Sequence, residues 1–248
     1  MLSLITATLT FWGSPKIDLS SGAKATLIGK GPPVVFSTGL FGSMPTFLYS
    51  DLFKDLKKNV TIVSIDRPFI STETLEEVCE ALGVNEVGFM AHSSFDSRVL
   101  TSPRLRCAVL CDPIVLPHVT GFGFQSNPFQ SPSIDVAGPV LDIRAERSYN
   151  ADAIQIPIPV YLAPEPVDGS KWSVMTMFGI GHADLLDDRW ADLGANLIPW
   201  INGPIPPVRD FNTWTIENSK RMDVQYIRKE YRKHVATLAA KHLLGDFI

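Results

Sequence analysis

The stretch that decides the fold is Val87-Gly88-Phe89-Met90-Ala91-His92-Ser93-Ser94-Phe95-Asp96-Ser97-Arg98-Val99-Leu100. Its apolar start predicts a buried strand, and the segment after Ser94 predicts a helix. A serine at a sharp corner between strand and helix is typical of the nucleophile elbow, G-x-S-x-G, which holds the hydroxyl above the end of a parallel sheet. Ala91 and Phe95 occupy the two glycine positions of that pattern. A serine at such a junction is also typical of a helix N-cap, so this stretch alone leaves two interpretations of Ser93.

On either side of this stretch, short apolar runs alternate with amphipathic segments. Residues 34–37, 61–66 and 106–111 predict buried strands, and 47–56 and 72–82 predict helices. This alternation predicts an α/β fold with right-handed crossovers, a mostly parallel central sheet and helices on both faces. Further strands are predicted at 4–12, 23–30, 159–164 and 172–178.

We expect the whole chain, 1–248, to form a single domain. Residues 113–157 are rich in Pro, Gly, Phe and Ser and predict an irregular insertion that is a candidate lid, with the Phe- and Gly-rich stretch 121–129 as its apolar cover. Residues 220–244 predict a long amphipathic helix with its basic residues outside. Its predicted core-facing residues are Tyr226, Ile227, Tyr231, Val235, Leu238 and Leu243.

Composition excludes several classes of protein. The chain has 248 residues, 45% hydrophobic and 19% charged, which suits a large globular core. A net charge of −4 with dispersed basic residues lacks the footprint of a nucleic-acid-binding protein. No apolar run has transmembrane length, while a peripheral contact with a membrane stays open. The N-terminal residues 1–12 lack a positive n-region and favour a first strand over a signal peptide.

The cysteines bear on the compartment. Cys79, Cys107 and Cys111 form no CxxC pair, and an odd number placed in apolar segments indicates free thiols. Free thiols predict an intracellular, reducing compartment, with cytoplasm or plastid as the alternatives. The sequence leaves the oligomeric state open, and a targeting peptide could already have been removed.

Three residues have the chain order of a serine hydrolase of this architecture, which is Ser, then Asp or Glu, then His. Ser93, Asp112 and His182 each follow a predicted strand directly, so their side chains are expected at one edge of the sheet. Such a triad needs backbone donors for the oxyanion. The predicted donors are the N–H groups of Leu40, in the loop after the 34–37 strand, and of Ser94.

The identity of the acid stays open between positions. Glu165 and Asp168 follow the predicted 159–164 strand, where many hydrolases of this architecture carry their acid. Asp184 is too close to His182 in sequence to orient its ring. No motif surrounds the other histidines, which we interpret as structural: His92, His118, His234 and His242.

Short motifs in this order resemble those of the chlorophyllases. The most specific is Gly181-His182-Ala183-Asp184-Leu185-Leu186-Asp187-Asp188, which resembles the G-H-x-D-x-L-D-D segment around their catalytic histidine. Residues 91–94, Ala-His-Ser-Ser, resemble the G-H-S-R around their nucleophile. Residues 110–113, Leu-Cys-Asp-Pro, resemble the D-P motif that carries their triad acid.

The resemblance extends over roughly residues 34–188. Residues 34–40 resemble the V-V-x-L-H-G-F oxyanion loop, and pieces at 139–141, 148–150 and 158–160 resemble the P-V-L, S-F-N and M-P-V run. It implies an α/β-hydrolase fold and hydrolysis of the phytyl ester in chlorophyll catabolism. It also implies Asp112 as the acid and no metal or organic cofactor.

The chain departs from the family pattern at Thr38, Ala91 and Phe95. A large side chain at Phe95 is expected to crowd the elbow or to occupy the acyl site. The first hypothesis is therefore a serine carboxylic-ester hydrolase acting on a large apolar ester or pigment. The alternatives are a non-catalytic pigment-binding or scaffold protein on a hydrolase fold, and a generic esterase or thioesterase.

Overall fold

A computed structural model describes residues 13–39, 44–114, 133–145, 165–192 and 223–245. The predicted strands at 4–12 and 159–164 lie outside these residues, as does the candidate lid stretch 121–129. The regular elements below are those of the described part of the chain.

Most of the strands are short and rich in β-branched and aromatic residues, which favour extended backbone. Their bounds are β1 Lys16–Asp18, β2 Lys24–Gly29, β3 Pro33–Ser37, β4 Thr61–Ile65, β5 Val87–Ser94, β6 Leu105–Ile114, β7 Ser133–Ile134, β8 Val140–Ala145, β9 Glu165–Pro166 and β10 Trp172–Met177.

Three α-helices accompany these strands: α1 Ser50–Leu56, α2 Thr72–Leu82 and α3 Val224–Leu244. Ser71 caps α2 through a capping box with Thr74, and Gly83 ends it in the left-handed conformation, as its sequence predicts. Short 3₁₀ helices cover Thr46–Tyr49, Ser97–Thr101, Gly169–Lys171 and His182–Leu185.

Eight of the strands form one sheet in the order β1-β2-β4-β3-β5-β6-β8-β10. β2 pairs antiparallel with β1 and β4, and every other neighbouring pair is parallel. Strand β4 lies on one side of β3 in the sheet, and the next strand along the chain, β5, lies on the other side of β3. The order therefore reverses between β3 and β5, and the carboxyl ends of strands at such a switch point form the crevice in which ligands bind.

Two apolar cores lie on opposite faces of the sheet. One holds α1 and α3 against side chains such as Phe36 and Met90. The other holds α2 against side chains such as Val35 and Phe89. Because successive side chains of a strand point to opposite faces, neighbouring residues serve different cores. The prediction of a mostly parallel sheet with helices on both faces is confirmed.

The prediction of a helix directly after Ser94 was wrong. Strand β5 runs on to Ser94, and only the 3₁₀ helix Ser97–Thr101 follows it. Ten residues, 95–104, connect β5 to the parallel strand β6, and a crossover with a full helix needs a dozen or more. The Asp96 side chain also accepts the Arg98 N–H at 3.0 Å, which favours a tight turn over a continuous helix.

The predicted irregular segment 113–157 contains a regular strand. Residues Val140–Ala145 form β8, which pairs with β6 and β10 inside the main sheet. A run of mostly apolar residues directly after Pro139 forms this strand. The sequence around it is rich in Pro and Gly, so a prediction from composition misses the strand. The lid function of the remaining residues and the single-domain assignment stay predictions.

Helix α3 differs from its predicted faces at three positions. Tyr226 is 69% exposed, although the spacing places it toward the core. Arg228 and Arg232 are both buried, although basic residues are predicted outside. Acidic partners from other segments surround the two guanidinium groups, and a period-based prediction does not detect such partners.

Candidate active site

Gly39 and Ser93 meet at the switch point of the sheet. Gly39 lies just past the end of β3, and Ser93 lies near the end of the adjacent β5. A Cβ placed on Gly39 would lie 2.8 Å from the Met44 sulfur and 3.5 Å from the Ser93 Cβ. The flexible end of the Met44 side chain would have to move to admit such a Cβ, so Gly39 packs closely between Met44 and Ser93.

Ser93 adopts an uncommon backbone conformation. Its φ is +65°, in the left-handed region that non-glycine residues rarely visit. Strained backbone of this kind concentrates at functional sites and persists because the surrounding structure enforces it. A sharp, strained turn at the serine is also the defining feature of a nucleophile elbow. Ser94, the predicted oxyanion donor beside it, is the last residue of β5.

Phe95 points away from the site. Its side chain is 3% exposed and belongs to the core that α2 covers. Its ring packs against Phe89, with 5.9 Å between the ring centroids. The side chain therefore supports the corner from within the core and does not fill an acyl site.

Asp112 lies at the carboxyl end of β6, next to β5. Its φ is +50°, and its side chain is 1% exposed. Its Oδ1 accepts the backbone N–H of Ala145 at 3.0 Å, which ties the end of β6 to the end of β8. Asp112 and Ser93 thus share one edge of the sheet, as predicted.

The alternative acids lie elsewhere. Asp168 precedes β10, so it is at the amino ends of the parallel strands, opposite Ser93. It is exposed and accepts the backbone N–H of Ser170 at 2.9 Å. The hydrogen bonds from Ser170 lower the pKa of this carboxyl. Glu165 starts β9, which pairs with β7 in a separate two-stranded sheet. This placement favours Asp112.

His182 begins a 3₁₀ helix after β10, three strands from β5. Three strand spacings amount to about 14 Å, and the five residues 178–182 span at most roughly 17 Å. The segment does return toward β3, because the Asp187 backbone N–H donates to the Leu48 carbonyl at 2.8 Å. The His182 side chain lies outside the described atoms, so its contact with Ser93 stays a prediction.

Buried carboxylates hold the segment that follows His182. Asp184 accepts the Gly181 backbone N–H at 2.8 Å and the Arg228 Nε–H at 2.6 Å. Its carboxylate thus binds both the loop and α3, and the prediction that it does not orient His182 stays a prediction. Burial lowers the pKa of Arg228, but the bonds to Asp192 and Asp184 outweigh this effect and raise it.

Two more aspartates of the same motif complete the anchoring. Asp187 accepts the Ser50 hydroxyl and the Asp51 backbone N–H, so it caps the start of α1. Burial raises the pKa of Asp187. Asp188 accepts two hydrogen bonds of 3.0 Å from Arg232. The acidic residues after His182 therefore fasten the segment to α1 and α3.

Sequence reasoning missed the part that Tyr49 and His92 play. His92 is 2% exposed, and its Nδ1 lies 2.8 Å from the Tyr49 hydroxyl. The same hydroxyl accepts the Gly39 backbone N–H at 3.0 Å. The one signal in the sequence is that His92 directly precedes Ser93. Of the other histidines interpreted as structural, His234 is exposed, His242 is buried, and His118 lies outside the described residues.

A cavity of about 370 Å³ lies beyond the carboxyl ends of β3 and β4. Its wall includes Thr38 and Met44, which lie next to Gly39, and the charged residues Asp66 and Arg67. This volume is within the range of ligand pockets. Leu40, the other predicted oxyanion donor, lies outside the described residues.

Within the described residues, no group of three or more His, Cys, Asp or Glu side chains could hold a metal ion. Across the same residues, no helix has the length and apolar character to span a bilayer. All three cysteines are buried free thiols, as predicted.

The solved structures that are similar to this chain include a carboxylesterase and epoxide hydrolases. Carboxylesterase CesB from Bacillus subtilis matches at a TM-score of 0.45 and 13% identity, over 79% of this chain and 96% of the other. Epoxide hydrolase VrEH1 from Vigna radiata matches at a TM-score of 0.43 and 12% identity, over 76% of this chain and 97% of the other. An epoxide hydrolase from an endophytic Streptomyces matches at a TM-score of 0.32 and 16% identity, over 43% of this chain and 38% of its own length.

The sheet order and the parallel crossovers confirm the predicted α/β architecture with a mostly parallel central sheet. No protein-family model matches the chain. No protein of curated function matches it either.

Proposed function

We propose that the protein is a serine carboxylic-ester hydrolase of chlorophyllase type, with Ser93, His182 and Asp112 as its triad. The single observation that carries the proposal is the strained, positive φ of Ser93 beside Gly39 at the switch point. A capping serine needs no such backbone, since N-cap residues have extended φ and ψ. The return of the 182–188 segment to the start of α1 adds support.

The reaction follows from these roles. His182 takes the proton of the Ser93 hydroxyl as its oxygen attacks the ester carbonyl carbon, and Asp112 stabilises the imidazolium. The N–H groups of Leu40 and Ser94 donate to the oxyanion. Collapse releases the alcohol, which takes the proton from His182, and leaves an acyl group on Ser93. Water, deprotonated by His182, then releases the carboxylic acid and restores the serine.

The choice of a large apolar ester, such as the phytyl ester of chlorophyll, rests on the motif resemblance between residues 34 and 188. A generic esterase or thioesterase has the same triad and differs only in its acyl and alcohol preference. Rates on chlorophyll, long-chain esters, short nitrophenyl esters and thioesters separate these possibilities. Chlorophyll cleaved no faster than a short nitrophenyl ester would remove the chlorophyllase-type assignment.

The nucleophile is tested by Ser93→Ala with Ser94→Ala as the matched control. Ser94 is proposed to act through its backbone N–H, which alanine retains. We expect Ser93→Ala to lose hydrolysis and labelling by a serine-directed fluorophosphonate, and Ser94→Ala to retain both. Mass spectrometry of the labelled peptide locates the adduct. Activity that survives in Ser93→Ala sinks the assignment.

A non-catalytic binding or scaffold function is the second candidate. One observation favours it: β5 is followed by the short 3₁₀ helix Ser97–Thr101 instead of an α-helix. The aligned dipoles of an α-helix make its N-terminus favourable for a developing negative charge, and this support is missing here. A folded protein that takes up no fluorophosphonate and binds chlorophyll without cleaving it would establish the second candidate.

A further inference from the structure

We propose that Tyr49 is a positioning residue that holds the oxyanion loop against the nucleophile through Gly39 and His92. The inference rests on the proposed function, because it assigns both side chains a part in the same reaction. Two polar contacts of one buried hydroxyl, that of Tyr49, carry the inference.

The Tyr49 hydroxyl connects two positions that matter for ester hydrolysis. Its oxygen accepts the N–H of Gly39 at 3.0 Å, and Gly39 directly precedes Leu40, the proposed oxyanion donor. The same oxygen lies 2.8 Å from Nδ1 of His92, which directly precedes Ser93. Tyr49 is fully buried, and its ring packs edge-on to Phe36. The side chain therefore has little freedom to move.

The protons in this contact have a definite arrangement. Burial raises the pKa of Tyr49 far above its ordinary value, against the lowering effect of the Gly39 hydrogen bond. The hydroxyl is therefore neutral and keeps its proton. The hydroxyl has one proton to donate, and we propose that His92 Nδ1 accepts it, which leaves the ring N–H of His92 at Nε2.

Catalysis depends on this arrangement through the peptide plane at Gly39. The Gly39 N–H is bonded to Tyr49, and the proposed oxyanion donor is the N–H of the next residue, Leu40. Gly39 is also closely packed against Met44 and Ser93. Loss of the Tyr49 oxygen releases the Gly39 N–H, so the backbone that leads to the Leu40 N–H loses one of its anchors. A displaced donor then lowers kcat by part of the roughly 100- to 1000-fold that the loss of a whole oxyanion donor costs.

The first test is Tyr49→Phe, which keeps the ring and removes the oxygen. We expect kcat on a short nitrophenyl ester to fall about 10- to 100-fold, less than for a lost donor, with KM changed little. We also expect faster hydrogen exchange at the Gly39 amide. Tyr226→Phe, at an exposed tyrosine, is the matched control and should change neither. An unchanged kcat in Tyr49→Phe overturns the proposal.

The second test uses the other partner. His92→Asn keeps an acceptor in the place of Nδ1, whereas His92→Leu keeps none. We expect Asn to preserve most of kcat and Leu to lose as much as Tyr49→Phe. The double variant Tyr49→Phe/His92→Leu should lose no more than either single variant, because both remove one interaction. Equal losses in Asn and Leu contradict the proposal, and this pair decides it if Tyr49→Phe does not fold.

A failure of the proposed function gives a different result. In that case the native chain hydrolyses no ester, and Ser93 takes up no fluorophosphonate. Hydrogen exchange at Gly39 and the nitrogen NMR shifts of the His92 ring then still report on the Tyr49 contacts. Identical exchange in the native chain and in Tyr49→Phe shows that the hydroxyl does not hold the loop.

Discussion

Ser93 and Asp112 both have a positive φ, at the same break in register between two neighbouring parallel strands. His92 of β5 pairs with Cys111 of β6, and Ser94 pairs with Ile114, so Ser93 lies opposite two residues. An extra residue in one strand bends it and redirects its side chains, and such irregularities are frequent beside active sites. The bulge thus presents a hydroxyl and a carboxylate at the same edge of the sheet.

We expect Asp112→Asn to reduce kcat by about 10⁴-fold, the loss typical when a triad acid becomes an amide. Asparagine keeps an oxygen for the Ala145 N–H, so the end of β6 should stay in place. Asp168→Asn, at the opposite end of the strands, is the control and should retain full activity. Steady-state kinetics on a nitrophenyl ester decide between them. The reverse pattern would move the acid to Asp168.

Arg228 and Asp184 make a buried ion pair, with Nε and Oδ1 2.6 Å apart and both side chains at most 1% exposed. We expect Arg228→Met to lower the free energy of unfolding by about 3–5 kcal/mol, because it leaves a buried carboxylate without its guanidinium. Lys58→Met, which breaks the exposed pair with Asp55, should cost less than about 1 kcal/mol. Urea unfolding measures both. Equal small losses would show that the pair does not hold α3 to the loop.

Phe95 replaces an elbow glycine and packs in the core. We expect Phe95→Ala to lower the free energy of unfolding by about 3–5 kcal/mol, since it removes a buried ring and leaves a cavity. Phe178→Ala, at a 78% exposed ring, should change it by no more than about 0.5 kcal/mol. Denaturant unfolding compares the two. If Phe95→Ala instead keeps full stability and speeds hydrolysis of bulky esters, the ring occupies the acyl site.

His242 contributes to the dependence of stability on pH. Burial lowers its pKa, against the hydrogen bonds to the Pro139 and Ala108 carbonyls. At pH values below its unfolded pKa of about 6.5 the unfolded chain binds the proton and the folded chain resists it, so stability falls as pH falls. We expect His242→Gln to flatten the fall in unfolding free energy between pH 7 and 5.5. The exposed His234→Gln is the control, and an unchanged slope in His242→Gln refutes the prediction.

The elements that could be predicted are those with a strong local period. Helix α2 has its cap, its apolar spacing and its terminal glycine within one short segment, and the structure keeps its bounds. Strands β3, β4 and β10 are short apolar runs that chain order places at successive crossovers. Local chemistry is enough in such cases, because the residues that decide the element are its own neighbours.

The elements that escaped prediction depend on distant partners or on connection length. The helix predicted after Ser94 is missing because the ten residues between β5 and β6 are too few for it. The length of that connection decides this, and the local residue pattern does not. The burial of Arg228 and Arg232 depends on aspartates some 40 positions away in sequence. The contact of Tyr49 with His92 spans 43 positions and has no motif.

The sequence by itself determined the class of fold and the chain order of Ser93, Asp112 and His182 at or beyond the carboxyl ends of their strands, because parallel strands with crossovers bring such positions to one edge. Tertiary structure alone decided how those positions are held. The left-handed φ of Ser93, the direction of the Phe95 ring and the hydroxyl shared by Gly39 and His92 arise where separate segments pack together. Packing is a collective property of segments far apart in the chain, so no local pattern encodes it.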